Sequence, residues 1–351
     1  MKKRFLAATA LTAMLLAACG DEAATSTNTT NETEQTENEA VEDALTIYTT
    51  VYPLSYFAER IGGEYVNVQS IYPAGANEHS FEPTQQDMMK LADADLFFYI
   101  GLGLEGFVDN AEKTLANEHV TLIPSAVNVS EEQLHVSEGH SHDEHEEDEH
   151  DHEGEEHAHD EDHDHEGEEA HDDEHNHGAH DPHVWLSPTI AQTLAATVKD
   201  ELIKANPEQE ALFTENYEAL IADLQTLDAE FKALSEEATN KTFFVSHAAF
   251  GYIAGEYGFT QVPIAGLNSQ SEPSQKELAK IVDAAKEKDV KYILFEQNVS
   301  SNLAEVIKNE VGADSLTLHN LSVLTKEDIA SDADYLSLMR ANIETLKTAM
   351  Q

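Results

Sequence analysis

The chain has 351 residues, 69 of them acidic against 19 basic, for a formal net charge of −50. A surface so poor in Lys and Arg cannot neutralise phosphates, which excludes nucleic acid as a partner and favours cations. Its one cysteine, Cys19, excludes disulfides and cysteine-zinc sites.

The first residues have the form of an export signal. Met1-Lys2-Lys3-Arg4 precedes an apolar run over 5–18 that is too short to span a bilayer permanently. The run ends in Leu16-Ala17-Ala18-Cys19, which resembles the lipobox of bacterial lipoproteins. On that reading 1–18 is a signal peptide and Cys19 is lipidated. The protein is then expected outside the cytoplasm, held to the outer face of the cell membrane or in a periplasm. Residues 19–43, rich in Thr, Asn and Glu, are expected to be a disordered tether.

From residue 45 short apolar runs alternate with helical ones. Strands are predicted over 45–51, 66–71, 96–100 and 120–123, with helices over 84–92 and 106–117 between them. Pro83 and Asp87 mark the start of the first of these helices. After the acidic insert described below, Pro188 opens a helix to about 205. Pro207 then begins a long periodic segment. Phe213, Tyr217, Leu220, Leu224, Leu227, Phe231 and Leu234 recur at alternating steps of four and three, a helical stripe. The stripe is short for a coiled coil, so it reads as a helix packed along its own protein. Strands at 242–245, 260–263 and 292–295 follow, with helices over 249–257, 274–288, 302–310 and 335–350. Alternating strands and helices imply parallel sheets. The expected fold is α/β, with two parallel-sheet lobes joined by a long rigid helix. The expected boundaries are a first lobe at 44–206, the helix at 207–239 and a second lobe at 240–351.

Fifteen of the nineteen histidines fall between His135 and His183, within a stretch that holds no Lys or Arg. Residues 138–181 alone carry 22 acids. Such a segment cannot build a core, but imidazoles and carboxylates are zinc ligands. The insert over 138–180 is therefore expected to hold metal. Its candidate ligands are His140, His142, His145, His150, His152, His157, His159, His163, His165, His171, His175, His177 and His180. Binding there is expected to be weaker than at a preformed site, because each ion must order chain. It should fade at low pH as protons compete for the same nitrogens.

Three histidines outside the dense run have a different setting. His79 follows a strand and a Pro73-Ala74-Gly75 turn, in Asn77-Glu78-His79-Ser80-Phe81-Glu82-Pro83. His183 lies in Asp181-Pro182-His183-Val184-Trp185-Leu186-Ser187-Pro188. His247 comes directly after the apolar Phe243-Phe244-Val245, in Ser246-His247-Ala248-Ala249-Phe250-Gly251. Ligands in α/β proteins gather at the carboxyl ends of strands. Three such positions beside a metal-rich insert make a metal site the expectation. His119 and His319 lack such a setting and read as ordinary surface or core histidines.

These segments, with Thr49-Thr50-Val51-Tyr52-Pro53 and Ser271-Glu272-Pro273-Ser274, closely resemble the zinc-specific solute-binding lipoproteins of bacterial ABC importers. The resemblance runs from Leu45 to the C-terminus and includes the insert. It implies one Zn2+ held between two lobes for delivery to a membrane permease driven by an ATPase. His79 and His183 would come from the first lobe and His247 from the second, in a monomer anchored to the membrane by Cys19. Manganese-specific relatives carry a carboxylate at the position of His247, whereas three imidazoles suit zinc. Some members of the family are also implicated in cell adhesion. One departure stands out: the acidic residue that supplies a fourth ligand in many relatives falls here on Ser322, a poor zinc ligand. Glu78, a water or an insert histidine remains to complete the site. Two other readings compete, a surface metal buffer or adhesin without a transport role, and a zinc hydrolase. The chain has no H-E-x-x-H or G-x-S-x-G motif, and the expectation is a binding protein, not an enzyme.

Overall fold

The computed structural model describes residues 44–138, 180–268, 273–297 and 301–351. The signal peptide, the tether, Cys19 and the candidate ligands from His140 to His177 lie outside the described residues.

The first half opens with β1 (Leu45–Thr49), α1 (Tyr52–Gly62), β2 (Val66–Ser70), α2 (Gln85–Ala92) and β3 (Leu96–Tyr99). It continues with α3 (Val108–Leu115), β4 (Thr121–Pro124) and a single turn, α4 (Glu131–Leu134). The strands form a parallel sheet in the order β2-β1-β3-β4. Helix α1 lies in a segment where the sequence pattern predicts no element. Pro53 in its first turn suits a helix start, and Leu54, Phe57, Ala58 and Ile61 form its buried stripe. Helix α2 starts where Pro83 and Asp87 place it, with Thr84 and Asp87 closing a capping box.

Beyond the insert come α5 (Pro188–Ala205) and α6 (Glu210–Glu237), the long helix. The second half is β5 (Thr242–His247), α7 (Gly251–Tyr257), β6 (Thr260–Ala265), α8 (Gln275–Glu287), β7 (Tyr292–Phe295), α9 (Asn302–Val311), β8 (Asp314–Thr317), α10 (Lys326–Ala330) and α11 (Tyr335–Ala349). Its sheet is also parallel, in the order β6-β5-β7-β8. Strand β8, Asp-Ser-Leu-Thr, has no apolar run to betray it; it is a mostly exposed edge strand paired only to β7.

Helix α6 buries Phe213, Leu220, Leu224, Leu227, Phe231 and Leu234, six of the seven stripe residues, while Tyr217 is partly buried. Each such burial is worth about 1.5–3 kcal/mol. It packs against α1, α5, α7 and α11. Phe231 stacks on Tyr257 of α7 with ring centroids 5.0 Å apart. The main hydrophobic core therefore runs unbroken from the first sheet through α6 to the inner face of the second, and a smaller cluster around Phe244 and Ile293 lies beneath α8 and α9. Helix α11 ties the lobes again: Tyr335 packs on Tyr56 and Phe57 and donates to the carbonyl of Trp185. No helix among the described residues is long and apolar enough to cross a membrane.

Candidate metal centre

Both sheets direct the carboxyl ends of their strands toward one crevice, and loops leaving those ends carry the site. His79 lies in the turn after β2. The Asn77 side chain accepts from the His79 backbone N–H at 3.0 Å, an Asx turn that fixes the local backbone. His183 returns from the insert into a short 3-10 turn, Val184–Leu186. Asp181 accepts from its backbone N–H at 2.9 Å and holds ring Nδ1 at 2.7 Å. A carboxylate can only accept, so Nδ1 carries the proton and Nε2 keeps its lone pair for a ligand. His247 is the last residue of β5.

The three rings converge. Their centroids are 5.2 Å apart for His79 and His183, 5.2 Å for His79 and His247, and 5.0 Å for His183 and His247. One ring nitrogen from each falls within 4.8 Å of the others, and Nε2 of His79 and His183 are 3.3 Å apart. Tetrahedral zinc with bonds of about 2.0–2.1 Å separates its ligand atoms by about 3.4 Å. The first pair already stands at that spacing.

The surroundings set the protonation of the rings. Burial, aided by the two neighbouring imidazoles, pulls His79 down to about 3, which keeps it neutral and able to ligate. Burial also acts against charge on His247, but Glu296 overcomes it and the group is raised to about 9. Glu296 Oε1 lies 3.0 Å from Nδ1 of His247, and the Leu267 carbonyl lies 2.8 Å from Nε2. Both nitrogens thus face acceptors when no metal competes.

Glu78 is buried, with Oε1 3.9 Å from Nε2 of His79. Burial pushes its carboxyl upward, and the nearby Glu296 charge adds to this. Asn320 joins the two acids, its Nδ2 donating to Glu78 Oε1 at 3.0 Å and to Glu296 Oε2 at 2.5 Å. Ser322 is buried and directs its hydroxyl to Asn320 Oδ1 at 2.9 Å. This chain thus uses Ser322 to orient the amide that links the two acids. Sequence reasoning missed Glu296 and Asn320. Glu296 had a findable signal, since it directly follows the apolar strand 292–295 just as His247 follows its own. Val245 pairs with Leu294, so His247 and Glu296 lie side by side two residues further on. Asn320 offered no such signal because β8 was not legible.

Of the remaining histidines, His180 stands apart from this cluster, 3.4 Å from Glu131. His119 is exposed against Asp95, and His319 is buried against Asp328. Both have the ordinary surroundings expected of them.

Two like-wound parallel sheets meeting over a buried trio of imidazoles are the layout of a two-lobed, metal-binding solute-binding protein. The family model described as "Zinc-uptake complex component A periplasmic" matches residues 47–349, and the chain belongs to that family. The high-affinity zinc uptake system protein ZnuA of Bacillus subtilis is 34% identical over 337 residues, spanning 96% of this chain and 94% of its own. The zinc-binding protein AdcA of Streptococcus pyogenes is 35% identical over 87% of this chain, which spans 56% of that longer relative. The Zn(II)-bound ZnuA-like domain of Streptococcus pneumoniae AdcA matches with a TM-score of 0.66 at 30% identity, covering 88% of this chain and 99% of that one.

Proposed function

We propose that this protein is the extracytoplasmic zinc-capturing component of an ABC importer, anchored through Cys19 and delivering Zn2+ to a membrane permease driven by an ATPase. The observation that carries the reading is the convergence of His79 and His183 with His247 of the opposite lobe, one ring nitrogen of each within 4.8 Å of the others. Three imidazoles select a borderline-soft ion over manganese or calcium, which prefer oxygen.

Glu78 completes the tetrahedron. What supports this assignment is its burial and its Oε1, 3.9 Å from Nε2 of His79. Glu296, acting through His247 Nδ1, supplies a second negative charge, so the two acids balance the dication in a poorly solvated crevice. A coordination sphere closed by four protein ligands leaves no open position for an activated water, which suits capture and not hydrolysis. Zinc must displace the proton that Nε2 of His247 gives to the Leu267 carbonyl, while Nδ1 keeps its own toward Glu296, so binding releases protons. The insert gathers ions outside the crevice at weaker sites.

Calorimetry on the full chain tests this. One tight equivalent is expected, and His247→Ala should weaken it at least about a hundredfold, roughly a quarter of a four-ligand zinc site's binding energy. Glu78→Gln should weaken it as well. The only tryptophan, Trp185, lies 5.4 Å from the His183 ring and reports occupancy by its fluorescence. Unchanged tight binding in His247→Ala would overturn the reading.

A further inference from the structure

The segment that carries His183 belongs to the first lobe, yet groups of the second lobe hold it. Asp181, His183 and Ser187 are all buried. Tyr252 of α7 donates its hydroxyl to the Asp181 carbonyl at 2.6 Å. Glu256 of the same helix accepts from the Ser187 hydroxyl at 2.7 Å. Four positions apart, the two side chains lie on one face of α7. Between these grips, Trp185 donates to the Asn320 carbonyl at 2.7 Å, and Tyr335 donates to the carbonyl of Trp185 at 2.8 Å. The approach of α7 is close. A Cβ on Gly251 would sit 2.8 Å from Asp181 Oδ2, and one on Gly255 would sit 2.0 Å from the Val136 carbonyl oxygen. Only glycine lets α7 reach both stems of the insert, where the rings of His135 and His180 stand 5.7 Å apart. The same helix begins four residues after His247, whose carbonyl accepts from the Ala249 N–H at 2.9 Å.

We propose that α7 sets the spacing of His183 against His247, with Tyr252 and Glu256 as positioning residues for zinc capture. The inference rests on the reading that those two histidines share one zinc. Asp181 Oδ1 holds both the backbone N–H and the Nδ1 of His183, so a shift of Asp181 is a shift of the ring. Tyr252 fixes that end of the segment and Glu256 fixes the other, at Ser187. Nε2 of His183 therefore keeps its direction toward the crevice, with the ring 5.0 Å from that of His247. Because α7 is joined to His247 through three residues of chain, one short helix references both ligands. An ion offered two imidazoles already aligned has less chain to order than one that must gather them, and that saving appears as affinity. Tyr252 and Glu256 act at one remove, through Asp181 and Ser187.

Zinc calorimetry and cobalt(II) absorption on the full chain provide the test. Tyr252→Phe keeps the ring and removes the hydroxyl, and Glu256→Ala removes the acceptor at the other end. Each should weaken the tight zinc equivalent about tenfold, the low end of what loss of a group behind a metal ligand costs. Glu256→Gln keeps an acceptor for Ser187 and should restore most of that loss. With cobalt(II) in place of zinc, d–d absorption should fall in Tyr252→Phe and Glu256→Ala, because a tetrahedral ion absorbs more strongly than one in a distorted site. A loss of stability alone would not move that spectrum. In a His183→Ala background Tyr252→Phe should cost less than about twofold, since a residue acting through His183 has nothing left to position. Folded Tyr252→Phe and Glu256→Ala proteins that both bind zinc within about twofold of wild type would overturn the inference. Weaker binding with an unchanged cobalt spectrum would overturn it too. If His183→Ala left the tight equivalent intact, the crevice reading would fail and take the inference with it. Weakening in His183→Ala, with no effect at either α7 position, would refute the role of α7 alone.

Discussion

The two sheets share one winding, yet the ends of their central strands serve opposite purposes. In each, the chain passes from the central strand to one neighbour and then across to the other, which opens a crevice between β1 and β3 in the first lobe and between β5 and β7 in the second. Glu105 fills the first crevice. It accepts from the backbone N–H of Ile100 at 2.8 Å, from that of Gly101 at 3.0 Å and from the Thr50 hydroxyl at 2.8 Å. In the second lobe the equivalent place holds His247 backed by Glu296. Both acids are buried. What separates them is the supply of donors. The first carboxylate has its chain's own N–H and O–H groups to accept from, so it joins two strands. The second has an imidazole and one amide, so its charge bears on His247, the ring proposed to ligate zinc.

The comparison can be broken most severely at Glu105. Glu105→Ala leaves three donors facing a void, and each stranded buried donor costs about 1–3 kcal/mol. A loss of about 3–6 kcal/mol in denaturant unfolding is expected. A change below about 1 kcal/mol would show that Glu105 is not a structural link.

The opposite outcome is expected for the second acid. Glu296→Ala should reduce zinc affinity about 10–100-fold by loosening His247, as loss of a carboxylate behind a ligating histidine does elsewhere. Its effect on stability without metal should be smaller than that of Glu105→Ala. Calorimetry and unfolding on the same variant separate the two, and unchanged affinity would place Glu296 among the merely structural acids.

Titration sharpens the contrast further. Burial, working against its three donors, lifts Glu105 from 4.5 to about 6. The folded protein then binds this proton more tightly than the unfolded chain does. The stability it contributes is full below the unfolded value and is lost as pH rises through the folded one, a fall of ~2 kcal/mol between the two. Glu105→Gln cannot titrate and should lack that fall when unfolding is followed across this range. Parallel profiles for the two proteins would contradict the assignment.

The smallest effect is expected at Ser322. Its hydroxyl is one of several groups holding Asn320 Oδ1, the others being the Ser322 backbone N–H and Gln297. Ser322→Ala should cost about 1 kcal/mol or less and change zinc affinity only a fewfold. A loss as large as that of His247→Ala would make the serine a ligand after all.

Much of this was legible because the signals are local. Strands over 292–295 and helices over 188–205 follow from apolar runs, prolines and caps that lie within a few residues of one another. His79, His183 and His247 each stand in a motif short enough to read, and the insert declares itself by composition. The stripe of α6 was visible for the same reason, since a helix repeats its buried face every three or four residues.

The rest required the chain to be folded. Strand β8 is polar and exists because β7 offers it an edge, so nothing within Asp-Ser-Leu-Thr marks it. Asn320 follows that strand and meets Glu78 only across 242 positions of sequence. The reach of Glu296 to His247 depends on the pairing of β5 with β7, and the meeting of His135 with His180 depends on both stems of the insert resting on α7. A ligand's identity can be written into a few neighbouring residues, whereas the groups that orient it and balance its charge come from wherever the fold brings them.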